Sequence, residues 1–198
     1  MATRHPPQSM NFTSLDFETA NHSRVSICAA GLAVFEDGNL TETPYWLVRP
    51  PKPHGWFLPD FIEIHHLTHL DVLDAPEFPA IVAEFLARLA RADLIIAHNA
   101  HFDIEHLRAT LDHFSLPRPE FDYVCTCQLA RRVWPELENH QLGTLAAHIG
   151  HKFNHHHAQS DAEATGRVLL AMMKQVNANT PRELLQKTGM EPKRFCQP

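Results

Sequence analysis

Apolar residues fall along the chain in two rhythms. Phe12 to Phe17, Val25 to Phe35 and Leu40 to Val48 are short apolar blocks bounded by polar turns, which reads as three strands. Glu36-Asp37-Gly38-Asn39 separates the second block from the third, and Asp-Gly between apolar runs favours a hairpin. Arg49 to Pro59 holds four prolines and a glycine and reads as loop. Three antiparallel strands followed by a proline-rich crossing is the first expectation.

Beyond Phe61 the rhythm turns helical. Ile62, Ile64, Leu67 and Leu70 anchor short turns across Phe61 to Asp74. Phe78, Ile81, Val82, Phe85, Leu86 and Leu89 recur at helical spacing within Pro76 to Ala92, with Pro76 near the first turn, where proline is tolerated. Asp93 to Ala97 is a short fourth strand, followed by a helix carrying Ile104, Leu107, Leu111 and Phe114. Phe121 to Cys125 is a fifth strand. Helices follow over Thr126 to Trp134, stopped by Pro135, over Leu142 to Ile149, and over Ala158 to Val176. The segment from Asn177 onward is polar, with prolines at 181, 192 and 198, and reads as a tail with a short helix at Pro181 to Lys187. The expected division is a disordered lead over 1–10, one domain over 11–177 and a tail over 178–198. The order β-β-β-α-β-α-β-α-α implies an α/β fold whose five-stranded mixed sheet carries helices on both faces.

Composition narrows this picture. The 198 residues suffice for one domain with a sizeable core, and 44% hydrophobic with 20% charged residues is ordinary for a soluble globular protein. No apolar run approaches the roughly 18 residues that span a bilayer, and Met1 to Pro7 lacks the apolar region of a signal peptide. Cysteines at 28, 125, 127 and 196 include one C-x-C but no second pair to complete a zinc site, so reduced thiols in a cytoplasmic setting are expected. The formal charge of −6 argues against coating a nucleic-acid backbone broadly. It leaves room for gripping one strand end, because bound divalent metals reverse the local sign. Among 16 histidines, His65 and His69 are four apart and are a candidate metal pair, although no H-E-x-x-H pattern surrounds them and a solvent-facing pair is the plainer account.

The carboxylates carry the chemistry. Asp16 and Glu18 are two apart on the first strand and so share a face, where two anions repel unless a cation sits between them. Asp103 lies at a strand-to-helix junction, where a helix N-terminus also tolerates an acid as decoration. Asp161 is one turn into the last long helix. If the first strand is central with the fourth beside it, these groups converge at the carboxyl ends of the strands. Four clustered carboxylates suit hard cations such as Mg²⁺ or Mn²⁺. With no dedicated nucleophile present, they point to metal-assisted phosphodiester hydrolysis. His156, five residues before Asp161, is a suitable base at neutral pH.

These residues carry a resemblance. Asp16-Phe17-Glu18-Thr19, then Ala97-His98-Asn99-Ala100-His101-Phe102-Asp103, then His156 with Asp161, resemble the ordered motifs of the DnaQ-like (DEDDh) 3′→5′ exonucleases. Ile64-His65 through Pro76-Glu77-Phe78 is similar to a further family segment, with His66 where that segment usually has glycine. The likeness covers about residues 11 to 176 and is nearest to the bacterial branch of polymerase proofreading domains and small stand-alone exonucleases. It implies a ribonuclease H-like αβα sandwich and two divalent metal ions, Mg²⁺ or Mn²⁺. By the same resemblance, Asp16, Glu18 and Asp161 hold the metal that activates water, and Asp16 bridges to a second metal held by Asp103. His156 is the base, with His155 and His157 facing solvent or backbone. Phe17, Thr19, Asn99 and Phe102 are candidate contacts to the terminal nucleotide. Core packing is the alternative for Phe17 and the favoured account of Phe102.

The expected activity is hydrolysis from a nucleic-acid 3′ end, with single-stranded DNA as substrate and nucleoside 5′-monophosphates as products. An RNA 3′-end exonuclease is the alternative. A polymerase-associated proofreading subunit is another, docked through the tail, and a polymerase or a second copy of the chain is a candidate partner.

Overall fold

The computed structural model describes residues 10–195. Residues 1–9 of the expected lead, and Cys196, lie outside them. Seven strands form one sheet: β1 (Phe12–Thr19), β2 (Ile27–Glu36), β3 (Asn39–Glu42), β4 (Tyr45–Leu47), β5 (Leu94–Ala97), β6 (Phe121–Cys125) and β7 (Lys193–Phe195). Their order is β3-β2-β1-β5-β6-β7, with β4 also paired to β2. β1 is central; it runs antiparallel to β2 and parallel to β5, which is parallel to β6.

The helices are α1 (Pro59–His65), α2 (Phe78–Leu89), α3 (His101–His113), α4 (Thr126–Val133), α5 (Leu142–His148), α6 (Ala158–Gln175) and α7 (Pro181–Thr188). Alternation along β1 divides the core into two layers. Leu15 and Phe17 join Phe78, Phe85, Ile104 and Leu107 of α2 and α3. Phe12 joins Leu129, Leu145, Val168 and Leu184 of α4 to α7 on the opposite face. No described helix is long and apolar enough to cross a membrane.

The strand count exceeds the expected five at two places. The expected strand Leu40 to Val48 is broken around Pro44, which has no N–H to give a ladder and whose carbonyl accepts from Leu32 N–H at 3.0 Å. The second departure is at the expected tail. Thr180 caps α7 by accepting from Glu183 N–H, Leu184 and Leu185 are buried, and β7 pairs antiparallel with β6. The Phe195 ring stacks on Phe121 at 4.7 Å. Residues 181–195 are therefore a helix and an edge strand packed on the sheet rather than a free segment.

Candidate active site

β1 turns Ser14, Asp16 and Glu18 toward α6. Gly31 of β2 lies opposite Asp16 in the ladder. A Cβ on Gly31 would stand 2.2 Å from the Ala158 carbonyl carbon, so only glycine lets the first turn of α6 lie on the sheet. One turn further, Ser14 Oγ donates to Ala162 O at 2.6 Å. Between these two anchors sits Asp161. The result is that carboxylate oxygens of Asp16, Glu18 and Asp161 all lie within 4.8 Å of one another.

Asp103 reaches the same place from the other layer. β1 pairs with β5 only over Phe12 to Ser14. Beyond that pairing the Phe17 N–H donates to Asp103 Oδ1 at 3.1 Å, from the first turn of α3. Asp103 is buried, as are Glu18 and Asp161.

Burial raises the proton affinity of all four acids, and neighbouring acids add to it at Asp16, Glu18 and Asp103. Burial pushes Asp16 up, and Asp103, Glu18 and Asp161 add to it. Burial, then Asp161, raises Glu18 to about 8. Burial raises Asp161 to about 7 against the opposing His156 N–H, which donates to its Oδ2 at 3.1 Å. Burial likewise raises Asp103 despite the Phe17 N–H. Asp161 Oδ1 is buried and has no hydrogen-bond partner. No positive side chain is among the causes acting on these four acids. Clustered hard oxygens with an orphaned buried acceptor fit a divalent cation. The cleft around them measures about 750 Å³, room for a nucleotide-sized ligand.

Known proteins resemble the chain over most of its length. A family described as Exonuclease (RNase_T) matches residues 14–169. The chain is 30% identical over 168 residues to the PolC-type DNA polymerase III of Streptococcus thermophilus, and 34% identical over 183 residues to that of Streptococcus pneumoniae. The chain belongs to the exonuclease family. Its members are hydrolases of phosphodiester bonds. The alignments take in 83% and 86% of the exonuclease chain but only 11% and 12% of the polymerases. Among solved structures, exonuclease X in complex with 5′ overhanging duplex DNA superposes with a TM-score of 0.69 at 25% identity, over 90% of this chain and 99% of that one. The nuclease domain of 3′hExo, a DEDDh family member bound to rAMP, superposes at 0.72 and 13% identity over 96% and 100%, a likeness of fold. The ribonuclease H-like sandwich is thus the fold of the exonuclease.

The histidines divide by environment. His156 is exposed at the cleft with a left-handed backbone, φ 64°, and both burial and nearby His66 lower its pKa. His157 stacks on Tyr45 at 4.5 Å. His155 does not simply face solvent or backbone: its Nε2 is 3.8 Å from Asp161 Oδ2. His65 and His69 form no metal pair. α1 ends at His65, which is buried; its Nδ1 accepts from Leu67 N–H at 3.0 Å, leaving Nε2–H for Thr19 O at 3.1 Å. The two groups of three or more metal-ligating side chains among the described residues are both at the cleft.

The candidate substrate residues also divide. The Phe17 ring is core, stacked on Phe85 at 5.7 Å, so only its backbone is available to the cleft. Thr19 is buried at the strand end. Asn99 is exposed with φ 59°. Phe102 is 37% exposed, its ring tilted against His106 at 4.1 Å instead of entering the core. Sequence reasoning missed Arg131, the one arginine or lysine among the cleft-lining residues. Its neighbour Arg132 turns away to the Thr188 and Gly189 carbonyls. Adjacent arginines carry no sequence mark that tells them apart; only the rotation of α4 does.

Proposed function

We propose that the chain is a metal-dependent 3′→5′ exonuclease that releases nucleoside 5′-monophosphates, with single-stranded DNA as its substrate. The observation that carries the reading is the convergence of Asp16, Glu18 and Asp161 oxygens within 4.8 Å, with Asp103 tied to the Phe17 amide beside them. Asp16, Glu18, Asp103 and Asp161 would hold two Mg²⁺ or Mn²⁺ ions, which supply charge neutralisation and an acidified water. His156, neutral at pH 7 because its pKa lies below the ordinary 6.5, accepts the proton of the attacking water. Water adds to the terminal phosphorus and the P–O3′ bond breaks. The penultimate nucleotide keeps a 3′-hydroxyl and the released nucleotide keeps the phosphate. Phe102 offers an exposed face for a base to stack on, Asn99 lines the same mouth, and Thr19 braces the floor. Arg131 is placed to take an upstream phosphate.

The PolC-type relatives favour DNA and a place beside a polymerase, in proofreading, replication or repair in the cytoplasm. The rAMP-bound neighbour keeps RNA as the second reading. The test is an end-labelled ladder on matched DNA and RNA oligonucleotides in Mg²⁺, in Mn²⁺ and in EDTA. The expected result is stepwise shortening from the 3′ end, faster on DNA, absent in EDTA and at least 100-fold slower in Asp16→Asn. Equal ladders in every lane refute the reading; faster RNA trimming transfers it to RNA. His156→Ala is expected to lose about 10²–10⁴ in turnover with metal binding retained, and His157→Ala to lose little.

A further inference from the structure

Asp161 belongs to two sets of metal-ligating groups. One is the oxygen set shared with Asp16 and Glu18; the other joins it to His155 and His156, whose ligand atoms also lie within 4.8 Å of one another and of Asp161. The proposed reaction does not use His155, whose ring lies against two aromatic neighbours. It stacks on His156 at 3.8 Å and tilts against Phe153 at 5.2 Å. Its Nε2 is 3.8 Å from Asp161 Oδ2, while Asp161 Oδ1 is buried and unpartnered.

The two sets differ in chemistry. Three carboxylates are hard donors suited to Mg²⁺ or Mn²⁺, whereas two imidazoles and a carboxylate are donors that Zn²⁺ takes, with a fourth position left for water. We propose that His155, His156 and Asp161 form a Zn²⁺ site that inhibits the enzyme by occupying His156 and drawing Asp161 away from the working metals. Tetrahedral Zn²⁺ needs ligand atoms about 3.4 Å apart. Closing to that spacing requires His155 to rotate out of its parallel stack on His156, so that both in-plane lone pairs converge on one ion; its side chain is 43% exposed and has room to turn. The inhibition rests on the proposed roles of His156 and Asp161; the binding does not.

The experiment has three arms: calorimetric titration of ZnCl₂ into metal-stripped protein, Zn²⁺ inhibition of nuclease activity at fixed Mg²⁺, and anomalous diffraction at the zinc edge. His155→Ala and His155→Gln are the variants. Expected are one Zn²⁺ equivalent that both variants lose, an inhibitory concentration raised at least ten-fold in both, unchanged activity in Mg²⁺ alone, and an anomalous peak bonded to His155 Nε2. Equal stoichiometry and inhibition in wild type and variants, or a peak on Asp16 and Glu18 only, overturns the site. A wild type inactive in Mg²⁺ alone instead refutes the nuclease reading, and the titration and the anomalous peak still decide the zinc site.

Discussion

His66 holds a left-handed conformation, φ 61°, at the C-cap of α1, where its N–H donates to Ile62 O. That conformation costs an L-residue with a Cβ about 1–2 kcal/mol, while glycine there raises unfolded-chain entropy by about 0.4–1 kcal/mol. His66→Gly is therefore expected to raise stability by up to about 1 kcal/mol, read as a melting temperature higher by about 2–4 °C. The substitution has a second readout. His66 is one of the groups depressing His156, so its loss should move the acid limb of the pH–rate profile upward. An unchanged limb would show that His66 does not reach His156. The departure at residue 66 was legible in the sequence as an exception to the family segment, and the structure resolves it by keeping glycine's backbone with another side chain. Histidine roles were less legible: His65 and His155 differ in burial and partners, which a single chain's pattern does not encode. Phe17 and Phe102 separate for a similar reason. Strand alternation fixes Phe17 inward, but the start of α3 leaves Phe102 on the rim.

At the level of elements, the cleft depends on how closely α6 lies on β2. Gly31→Ala would place a methyl carbon 2.2 Å from the Ala158 backbone, and backbone cannot rotate away as a side-chain tip can. The start of α6 must move, carrying Asp161 from Asp16 and Glu18. The expected outcome is a stability loss of about 1–3 kcal/mol and weaker Mn²⁺ binding, measured by denaturant titration and calorimetry. Unaltered Mn²⁺ affinity would mean that the close approach does not set the site. The long periodic helices α2, α3 and α6 were legible, because an apolar stripe of several turns leaves few alternatives. β7 was not, since Lys193-Arg194-Phe195 is three residues long and two are charged. Its place follows from partners distant in sequence: Arg194 pairs with Glu120 and Asp122 of the β6 region, and Phe195 with Phe121. Phe195→Ala should cost about 3–5 kcal/mol, so deletion of the C-terminal segment would damage the sheet before it tested any docking role. Thermal denaturation of the point variant checks this, and an unshifted transition would return the segment to the status of a tail.

For the whole molecule, a formal charge of −6 and four converging carboxylates make folding and metal binding one equilibrium. Glu18 titrates near 8 rather than its ordinary 4.5, and Asp161 near 7 rather than 3.8. Acids raised in the folded state keep protons that the unfolded chain has already lost, so stability falls as pH rises through this window. At about 1.4 kcal/mol per tenfold change in proton affinity, Glu18 alone is worth on the order of 5 kcal/mol between its two limits. The metal-free protein should therefore melt at progressively lower temperature from pH 6 to pH 8.5. Saturating Mn²⁺ should remove most of that slope, because the cation takes the place of the protons. Binding should also release protons, most strongly at pH 6 to 7, and the apparent affinity should tighten as pH rises. Differential scanning calorimetry with EDTA or Mn²⁺, and titration calorimetry in buffers of different ionisation enthalpy, measure both effects. A melting temperature that is flat with pH in EDTA, or metal binding without proton release, would mean that the four acids are not held against their own repulsion, and the case for a cation between Asp16, Glu18 and Asp161 would lose its electrostatic basis.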